Sequence, residues 1–267
     1  YRVTGEDVIP INLMMPYKIQ TIEGYDAVYP LRTAKYLSVL KYGYANSNPL
    51  GRYGSVSNLD SNLLNLVSVK YVLALKRDKI RSADENGSIP DEFRKSFLVP
   101  VFEDKTVVIL ENKLVTDRVG MFYDWEVIPD EKQILERLNS KDFPNGKKIV
   151  LENEPILDKK SVSASTISFN EVPNGKLLTV ETKENGLVFI ADTWFPGWRA
   201  FIDGQEIPIL RANYNFMAVA VKAGTHQINF EYKPASFEIG KMLSFFSATI
   251  LLICCLINFI KKYARTS

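Results

Sequence analysis

The chain has 267 residues, of which 46% are hydrophobic and 24% charged, and its 33 basic and 31 acidic residues leave a formal net charge of +2. This length is enough for one large domain or two ordinary ones. The near-neutral balance supplies no basic stripe of the kind that follows a phosphate backbone, so nucleic acid is not expected as a partner. The only cysteines, Cys254 and Cys255, are adjacent inside an apolar run, which argues against a disulfide framework, a metal site and thiol chemistry.

The patterns in residues 1–160 are mixed and predict an α+β region. Apolar residues recur at helical spacing in residues 29–40 and 59–69, and residues 130–140 open with acidic side chains, as helix N-termini often do. Short runs rich in β-branched and aromatic residues predict strands between these helices, at residues 71–75, 97–102, 106–110, 121–128 and 148–152.

Residues 161–238 change to a period of two and predict an all-β sandwich of the jelly-roll or immunoglobulin-like kind. In the last strand, Ile228, Phe230 and Tyr232 share one face. This alternation is expected of a strand with one buried face and one solvent-exposed face. Turn sequences such as Pro-Asn-Gly and Asp-Gly separate the strands at roughly ten-residue spacing. The seven predicted strands cover residues 161–170, 176–182, 186–192, 198–203, 205–210, 215–221 and 225–232.

A transmembrane helix is predicted near the C-terminus, and we assign residues 239–260 to it. The stretch from Met242 to Ile260 holds 19 residues without a charge, and a helix of that length spans roughly 28 Å, close to the hydrocarbon thickness of a bilayer. Basic residues then follow in the tail 261–267, at positions 261, 262 and 265. The positive-inside rule therefore predicts a cytoplasmic tail and an extracytoplasmic position for residues 1–238.

The chain begins without an initiator methionine or an apolar signal segment. This start fits either a domain exported by a signal peptide that has been removed or a fragment of a polytopic membrane protein.

The stretch WFPGWRAFIDG, residues 194–204, carries the strongest candidate ligand contacts. Trp194 and Arg199 offer an aromatic face and a guanidinium fork of the sort that sugars or phosphates need. The structural alternative is that Pro-Gly and Asp-Gly are turns, that Trp198 is a core residue and that Trp194 lines a corner of the sandwich. Of the two tryptophans, Trp194 is the better candidate for a ligand contact.

Other candidate contacts lie in predicted loops. Arg211, Asn213 and Tyr214 fall between two predicted strands, where a side chain can contact a ligand or form a surface ion pair. Tyr25 and Asp26 precede a predicted helix, and Asp26 can either cap that helix, which is the commoner outcome, or face an acceptor on the membrane side.

No catalytic constellation is visible in the sequence. The only histidine, His226, has no evident carboxylate or cysteine partner. The acidic residues cannot be paired in space from their spacing, so no general acid and base are assigned. We therefore predict no catalytic residue, no metal and no cofactor for this chain.

Several motifs resemble the C-terminal region of the bacterial YfhO-type polytopic membrane proteins. They are LLNLVSVKYVLAL, VVILEN, the run from Asp192 to Gly240 and the terminal apolar helix. The resemblance implies an extracytoplasmic domain attached to a many-helix membrane portion of the GT-C glycosyltransferase kind. Such proteins act on cell-envelope polymers such as teichoic acids with a polyprenyl-phosphate sugar donor. Their catalytic carboxylate lies in an early loop that nothing here matches, so no catalytic residue is carried over.

Three functional hypotheses follow. The first is an accessory domain of a membrane glycosyltransferase that binds or orients the acceptor, a cell-envelope polymer or lipid-linked sugar. The second is a non-catalytic carbohydrate-binding module. The third is a structural cap on the membrane portion, which would show a broad apolar patch and no polar pocket.

Overall fold

The structure is a computed structural model that describes residues 1–5, 8–26, 29–45, 49, 51–78, 80, 82–159 and 163–263. Two sequence-based predictions fall partly outside these residues. They concern the first two residues of the strand predicted at 161–170 and the basic tail position Arg265.

The described residues include four α-helices, and three of them follow the predicted helical spacing. Asp130 caps the third helix, because its carboxylate accepts a hydrogen bond of 2.9 Å from the backbone N–H of Gln133. The expected cap at Asp26 is wrong, since the first helix begins after Pro30 and has no side-chain cap. The helices are α1 (Leu31–Tyr42), α2 (Asn62–Leu66), α3 (Glu131–Asn139) and α4 (Ala235–Tyr263), and 3₁₀ turns cover Met15–Tyr17 and Asp91–Phe93.

A four-stranded sheet and a two-stranded sheet account for the N-terminal strands. The four-stranded sheet has the order β1-β4-β6-β5, with only the β1–β4 pair parallel. Its strands are β1 (Arg2–Thr4), β4 (Val69–Leu75), β5 (Leu98–Glu103) and β6 (Val107–Asn112), and the two-stranded sheet pairs β2 (Gly24–Tyr25) with β3 (Tyr53–Gly54). The strands predicted at 71–75, 97–102 and 106–110 are confirmed.

Two larger sheets form the sandwich. The central sheet has the order β7-β12-β16-β15-β9-β8, and the outer sheet has the order β10-β11-β17-β13-β14. The central strands are β7 (Val119–Phe122), β8 (Trp125–Val127), β9 (Ile149–Leu151), β12 (Gly186–Ile190), β15 (Leu210–Ala212) and β16 (Phe216–Val221). The outer strands are β10 (Ser165–Val172), β11 (Gly175–Thr182), β13 (Trp198–Ile202), β14 (Gln205–Ile207) and β17 (Gly224–Tyr232).

The central sheet is buried on both faces. In β12, Val188 and Ile190 join the core between the two sheets, whereas Leu187 and Phe189 face the other way. That second core includes residues of α1, α2, α3 and the N-terminal sheet. Burial on both sides explains why β12 and β16 are almost continuously apolar, whereas β17 alternates.

The predicted fold class is confirmed: a mixed N-terminal part, a β-sandwich and one long apolar helix at the C-terminus. The central sheet combines strands from both sides of residue 160, so the predicted domain boundary falls between strands that share one sheet. Helix α4 has no residue buried in its membrane-span segment and projects away from the sandwich.

Candidate binding site at the helix-side end of the sandwich

One end of the sandwich adjoins the start of α4, and we call it the helix-side end. Trp198 pairs with Tyr232 at the end of β17, and the N–H of Lys233 donates to the carbonyl of Gly197 at 2.8 Å. Gly197 has a φ of +111°, and a Cβ there would lie 2.8 Å from the Cα of Pro234. The turn in WFPGW is therefore packed against Pro234, the residue directly before α4.

The neighbouring loops of the central sheet reach the same end. The N–H of Trp194 donates to the carbonyl of Asn215 at 2.8 Å, which joins the 191–197 loop to the β15–β16 turn. Lys176, at the start of β11, forms an ion pair of 2.7 Å with Asp192. Side chains near Trp194, Asp192 and the β15–β16 turn are thus gathered close to the point where α4 leaves the sandwich.

A guanidinium stacked on an indole forms the exposed part of this site. The Cζ of Arg211 lies 3.9 Å from the ring centroid of Trp194, and Trp194 also packs against the sandwich core. Trp194 is therefore not an open stacking platform. Among the described residues, Arg211 makes an ion pair of 3.6 Å with Glu152 but no hydrogen bond, so its N–H donors stay available to a ligand. We call this group the Arg211 cluster; its members are Trp194, Arg211, Glu152, Arg32, Lys35, Glu131 and Tyr214.

Arg32 organises the rest of the cluster from the first turn of α1. It forms ion pairs with Glu131, at 2.6 Å, and with Glu152, and it donates to the carbonyl of Tyr214 at 2.6 Å. Lys35 also approaches Glu131, at 3.4 Å. Three cations, Arg32, Lys35 and Arg211, thus face two carboxylates, which leaves one net positive charge.

Tyr214 lies beneath Arg32 in the tight turn between β15 and β16. Its ring centroid is 4.2 Å from the guanidinium carbon of Arg32, and its φ of 71° is in the left-handed region. Burial, reinforced by the charge of Glu131, raises the pKa of Tyr214 to about 12. Its buried hydroxyl has no hydrogen-bond partner among the described residues. An unpaired buried hydroxyl is rare and marks a place where water or a ligand group can bind.

Asn213 has a structural role in the same turn. Its side-chain oxygen accepts a hydrogen bond of 2.9 Å from the N–H of Val150, and its own N–H donates to the carbonyl of Val150 at 2.7 Å. These bonds attach the turn to β9. The segment between the predicted strands 205–210 and 215–221 is thus partly a strand, since Arg211 lies in β15, and residues 213–215 form the turn.

A second charged cluster surrounds Asp192 at the same end. Its carboxylate binds Arg2 and Arg118 at 2.8 Å and Lys176 at 2.7 Å, and all four side chains are nearly buried. Burial by itself would raise the pKa of Asp192, but Arg118 and the other two cations outweigh it and lower the pKa. Glu171 takes a second contact from Arg118, at 2.8 Å. This Asp192 cluster is saturated with internal contacts.

Three predicted contact residues lie elsewhere. Arg199 forms a two-point ion pair with Glu206 on the exposed face of the outer sheet. Tyr25 belongs to the small β2–β3 sheet, where its ring lies 4.9 Å from that of Tyr53, and Asp26 bonds through its N–H to the carbonyl of Arg52. The structure brings together Trp194, Arg211, Asn213 and Tyr214 but does not bring these three to them.

The sequence-based statement that His226 lacks a carboxylate partner is wrong. Its Nδ1 lies 2.7 Å from Asp203, whose other oxygen accepts from the N–H of Gln227. Asp203 and Gly204 both have positive φ, as the predicted two-residue hairpin turn requires. The pair attaches this turn to β17 at the end of the sandwich away from α4.

The structural alternative, in which Trp198 is a core residue, needs a smaller correction. Trp198 is half-buried, packs against the edge of the sandwich core and lies 5.3 Å from the ring of Tyr232. The fully buried tryptophan is Trp125, whose Nε1 donates to Glu154 at 3.0 Å.

Three charged residues of the site were not predicted from the sequence: Arg32, Glu131 and Glu152. Arg32 stood in a predicted helix, and the two glutamates stood at the start of a helix and the end of a strand. Charged residues are usual at such positions, so no local signal separated these three from ordinary surface charges. Among the described residues, no group of three histidine, cysteine or acidic side chains could hold a metal ion.

Comparison with known families supports the resemblance. Residues 157–244, about a third of the chain, match the family model of the bacterial membrane protein YfhO. This segment is of YfhO type. It contains the whole outer sheet, Trp194, the β15–β16 turn and the start of α4. No curated protein and no solved structure matches the chain.

One helix among the described residues is long and apolar enough to cross a membrane, over Ala235–Asn258, with a mean hydropathy of 2.0. Together with the YfhO match, this helix supports a membrane location, with α4 as the candidate membrane span.

Proposed function

We propose that this chain is the extracytoplasmic C-terminal domain of a GT-C-like membrane glycosyltransferase, and that the Arg211 cluster binds and positions the acceptor. The acceptor is a phosphate-bearing cell-envelope polymer such as teichoic acid. The YfhO match supports the family part of this proposal. The contacts of Arg211 support the binding part.

The observation that carries the proposal is the state of the Arg211 guanidinium. It lies over the ring of Trp194 and makes no hydrogen bond to the described residues, although its side chain is only 33% exposed. A guanidinium fixed in this way loses little freedom when it binds, and its fork matches two oxygens of a phosphate.

The geometry favours an anionic polymer over a neutral glycan. Sugar-binding sites usually present an open aromatic face, but here Arg211 covers one face of Trp194, and the indole also packs on the core. The net positive charge of the cluster attracts phosphodiester groups over several ångströms. We therefore propose phosphate recognition, with sugar hydroxyls as secondary contacts.

Catalysis is assigned to the membrane portion of the proposed transferase. The glutamates of the cluster are bound to Arg32, and neither is placed beside a nucleophile or a held donor. We expect this chain alone not to transfer or hydrolyse sugar, with or without Mg²⁺. Turnover by the purified chain would contradict this assignment.

The test is a binding titration with the full chain in phospholipid nanodiscs. Poly(glycerol phosphate) is the anionic probe and cellohexaose is the neutral one. Arg211→Gln should weaken binding of the anionic probe at least about tenfold, because it removes charge-assisted hydrogen bonds worth about 1.5–3 kcal/mol. The matched control is Arg199→Gln, which removes an arginine of the same sandwich that lies outside the cluster.

Each outcome decides between the hypotheses. Selective loss in the Arg211 variant supports the proposal. Equal or tighter binding of cellohexaose would favour a carbohydrate-binding module instead. Absence of binding to either probe would favour a structural cap on the membrane portion.

The proposed orientation has a separate test. Protease added to wall-stripped cells should cleave residues 1–238, while a tag after residue 267 should be protected, because basic residues after the span favour the cytoplasm. Cleavage of the tag in intact cells would reverse the orientation.

A further inference from the structure

Aromatic rings, two of them exposed, lie near the start of α4. Phe195 is 43% exposed and Phe237 is 65% exposed. Trp198 and Tyr232 are half-buried at the edge of the sandwich, with their ring centroids 5.3 Å apart and their planes tilted by 49°. We call Phe195, Trp198, Tyr232 and Phe237 the aromatic collar.

Contacts in the backbone hold the collar at the helix. The Gly197 turn packs on Pro234, the residue before α4, and the N–H of Phe237 donates to the carbonyl of Pro234 at 3.1 Å. The collar therefore keeps a fixed distance from the start of α4, because no flexible linker separates the sandwich from the helix.

That distance places the collar at the level of the lipid headgroups. The charge-free part of α4 begins at Met242, so Phe237, five residues earlier, lies about 7.5 Å from it along the helix, and the start of α4 at Ala235 lies about 10 Å from it. The headgroup layer on one side of a bilayer is about 5–8 Å thick, as the difference between the whole bilayer and its hydrocarbon core shows. Any tilt of the helix brings the collar closer to the hydrocarbon core.

We propose that the aromatic collar rests in the headgroup layer of the bilayer, so that the sandwich is seated on the membrane surface. The partner is the phospholipid interface, and two features favour it over another protein. Rings with an apolar body and a polar tip concentrate at this depth in membrane proteins. Exposed Lys233 lies at the same level and suits anionic headgroups.

This inference does not depend on polymer binding, and it holds on either side of the membrane. It gives the WFPGW stretch a role that neither a sugar platform nor a simple sandwich corner supplies. Its exposed Phe195 and half-buried Trp198 face lipid headgroups, while Gly197 allows the close approach to α4.

The test is site-directed spin labelling of the full chain in nanodiscs of phosphatidylcholine and phosphatidylglycerol. Cys254→Ala and Cys255→Ala remove both native thiols, and a single label is then placed by Phe195→Cys, Pro196→Cys or Gln205→Cys. Phe195 is an exposed collar residue, and Pro196 is the exposed residue next to it, so labels at either position are called collar labels. Gln205 pairs with Ile202 at the far end of β13, about 13 Å along the strand from Trp198.

The collar labels should show a several-fold higher ratio of oxygen to nickel-chelate collisions than the Gln205 label. Oxygen concentrates in lipid and the chelate in water, so this ratio reports depth. The same collar labels should lose this difference when the nanodisc is exchanged for a short-chain detergent. Equal ratios at all three positions in nanodiscs would overturn the proposal. Two collar positions are used so that one poorly folded variant leaves the test intact.

Discussion

Replacing Asp192 by asparagine should destabilise the protein by about 3–5 kcal/mol. Asp192→Asn keeps the shape of the side chain but removes its charge, and it leaves three nearly buried cations facing one another. Removal of one partner from a buried ion pair typically costs this amount, because the remaining charge is uncompensated. The loss should be at the upper end of the range, since a single carboxylate serves three cations.

The position of the Asp192 cluster explains why the effect should be global. Arg2 is in β1, Arg118 precedes β7, Lys176 is in β11 and Asp192 follows β12, so the cluster joins the N-terminal sheet to both sheets of the sandwich. Repulsion among the cations would therefore separate elements that must pack together. Glu171 offsets part of the repulsion through its contact with Arg118.

The measurement is urea unfolding of the full chain in mild detergent, followed by tryptophan fluorescence. The control is Glu206→Gln, which breaks the exposed pair with Arg199 and should shift the midpoint far less. The reasoning would be refuted if Asp192→Asn shifted the midpoint no more than Glu206→Gln. A second check is Asp192→Asn combined with Lys176→Met, which should recover part of the loss because one of the unpaired cations is removed.

Two further predictions compare pairs of positions that differ in one feature, and a third concerns the pH dependence of stability. Gly197→Ala should cost about 1–3 kcal/mol more in thermal unfolding than Gly204→Ala, since both have positive φ but only the Cβ at 197 meets the proline before α4; equal costs would contradict this close approach. Tyr36→Phe should cost about 1–2 kcal/mol because its buried hydroxyl donates at 2.8 Å to a helix carbonyl, whereas Tyr214→Phe should be nearly neutral because its hydroxyl is unpaired. Stability should fall as pH drops below about 4, because the pKa of Asp192 is lowered by folding and its contribution is lost on protonation; Asp192→Asn should flatten that fall in pH-dependent urea midpoints.

Local pattern was enough to predict most of the elements. Period two identified β17, and helical spacing with an acidic start identified α3, because each element shows one buried face. The split between β7 and β8 at Tyr123 and Asp124 was missed, since apolar and aromatic residues run through it. The pairing of β7–β9 with the sandwich was also missed, because sheet order depends on contacts distant in sequence.

The candidate site was predicted in part for the same reason. Tryptophan and arginine near turns suggested ligand contacts, and the structure unites Trp194 with Arg211, which are 17 positions apart. The contact between Arg32 and Glu152 joins residues 120 positions apart, and neither has a local signature. Charged residues at element ends are so common that only the fold reveals which of them meet.

The two charged clusters at the helix-side end differ in what remains unpaired, and that difference assigns their roles. Around Asp192 the carboxylate and its cations bind one another at 2.7–2.8 Å, so a ligand would have to break internal contacts before making its own. At Arg211 the nearest carboxylate oxygen among the described residues is 3.6 Å away and the guanidinium makes no hydrogen bond to them, so a ligand would satisfy donors that the fold leaves open. The first cluster therefore joins the sheets, and the second is the one suited to binding. Because both lie at the end from which α4 leaves, a polymer held by Arg211 on a seated sandwich would lie close to the lipid headgroups, where the membrane portion of the proposed transferase could reach it.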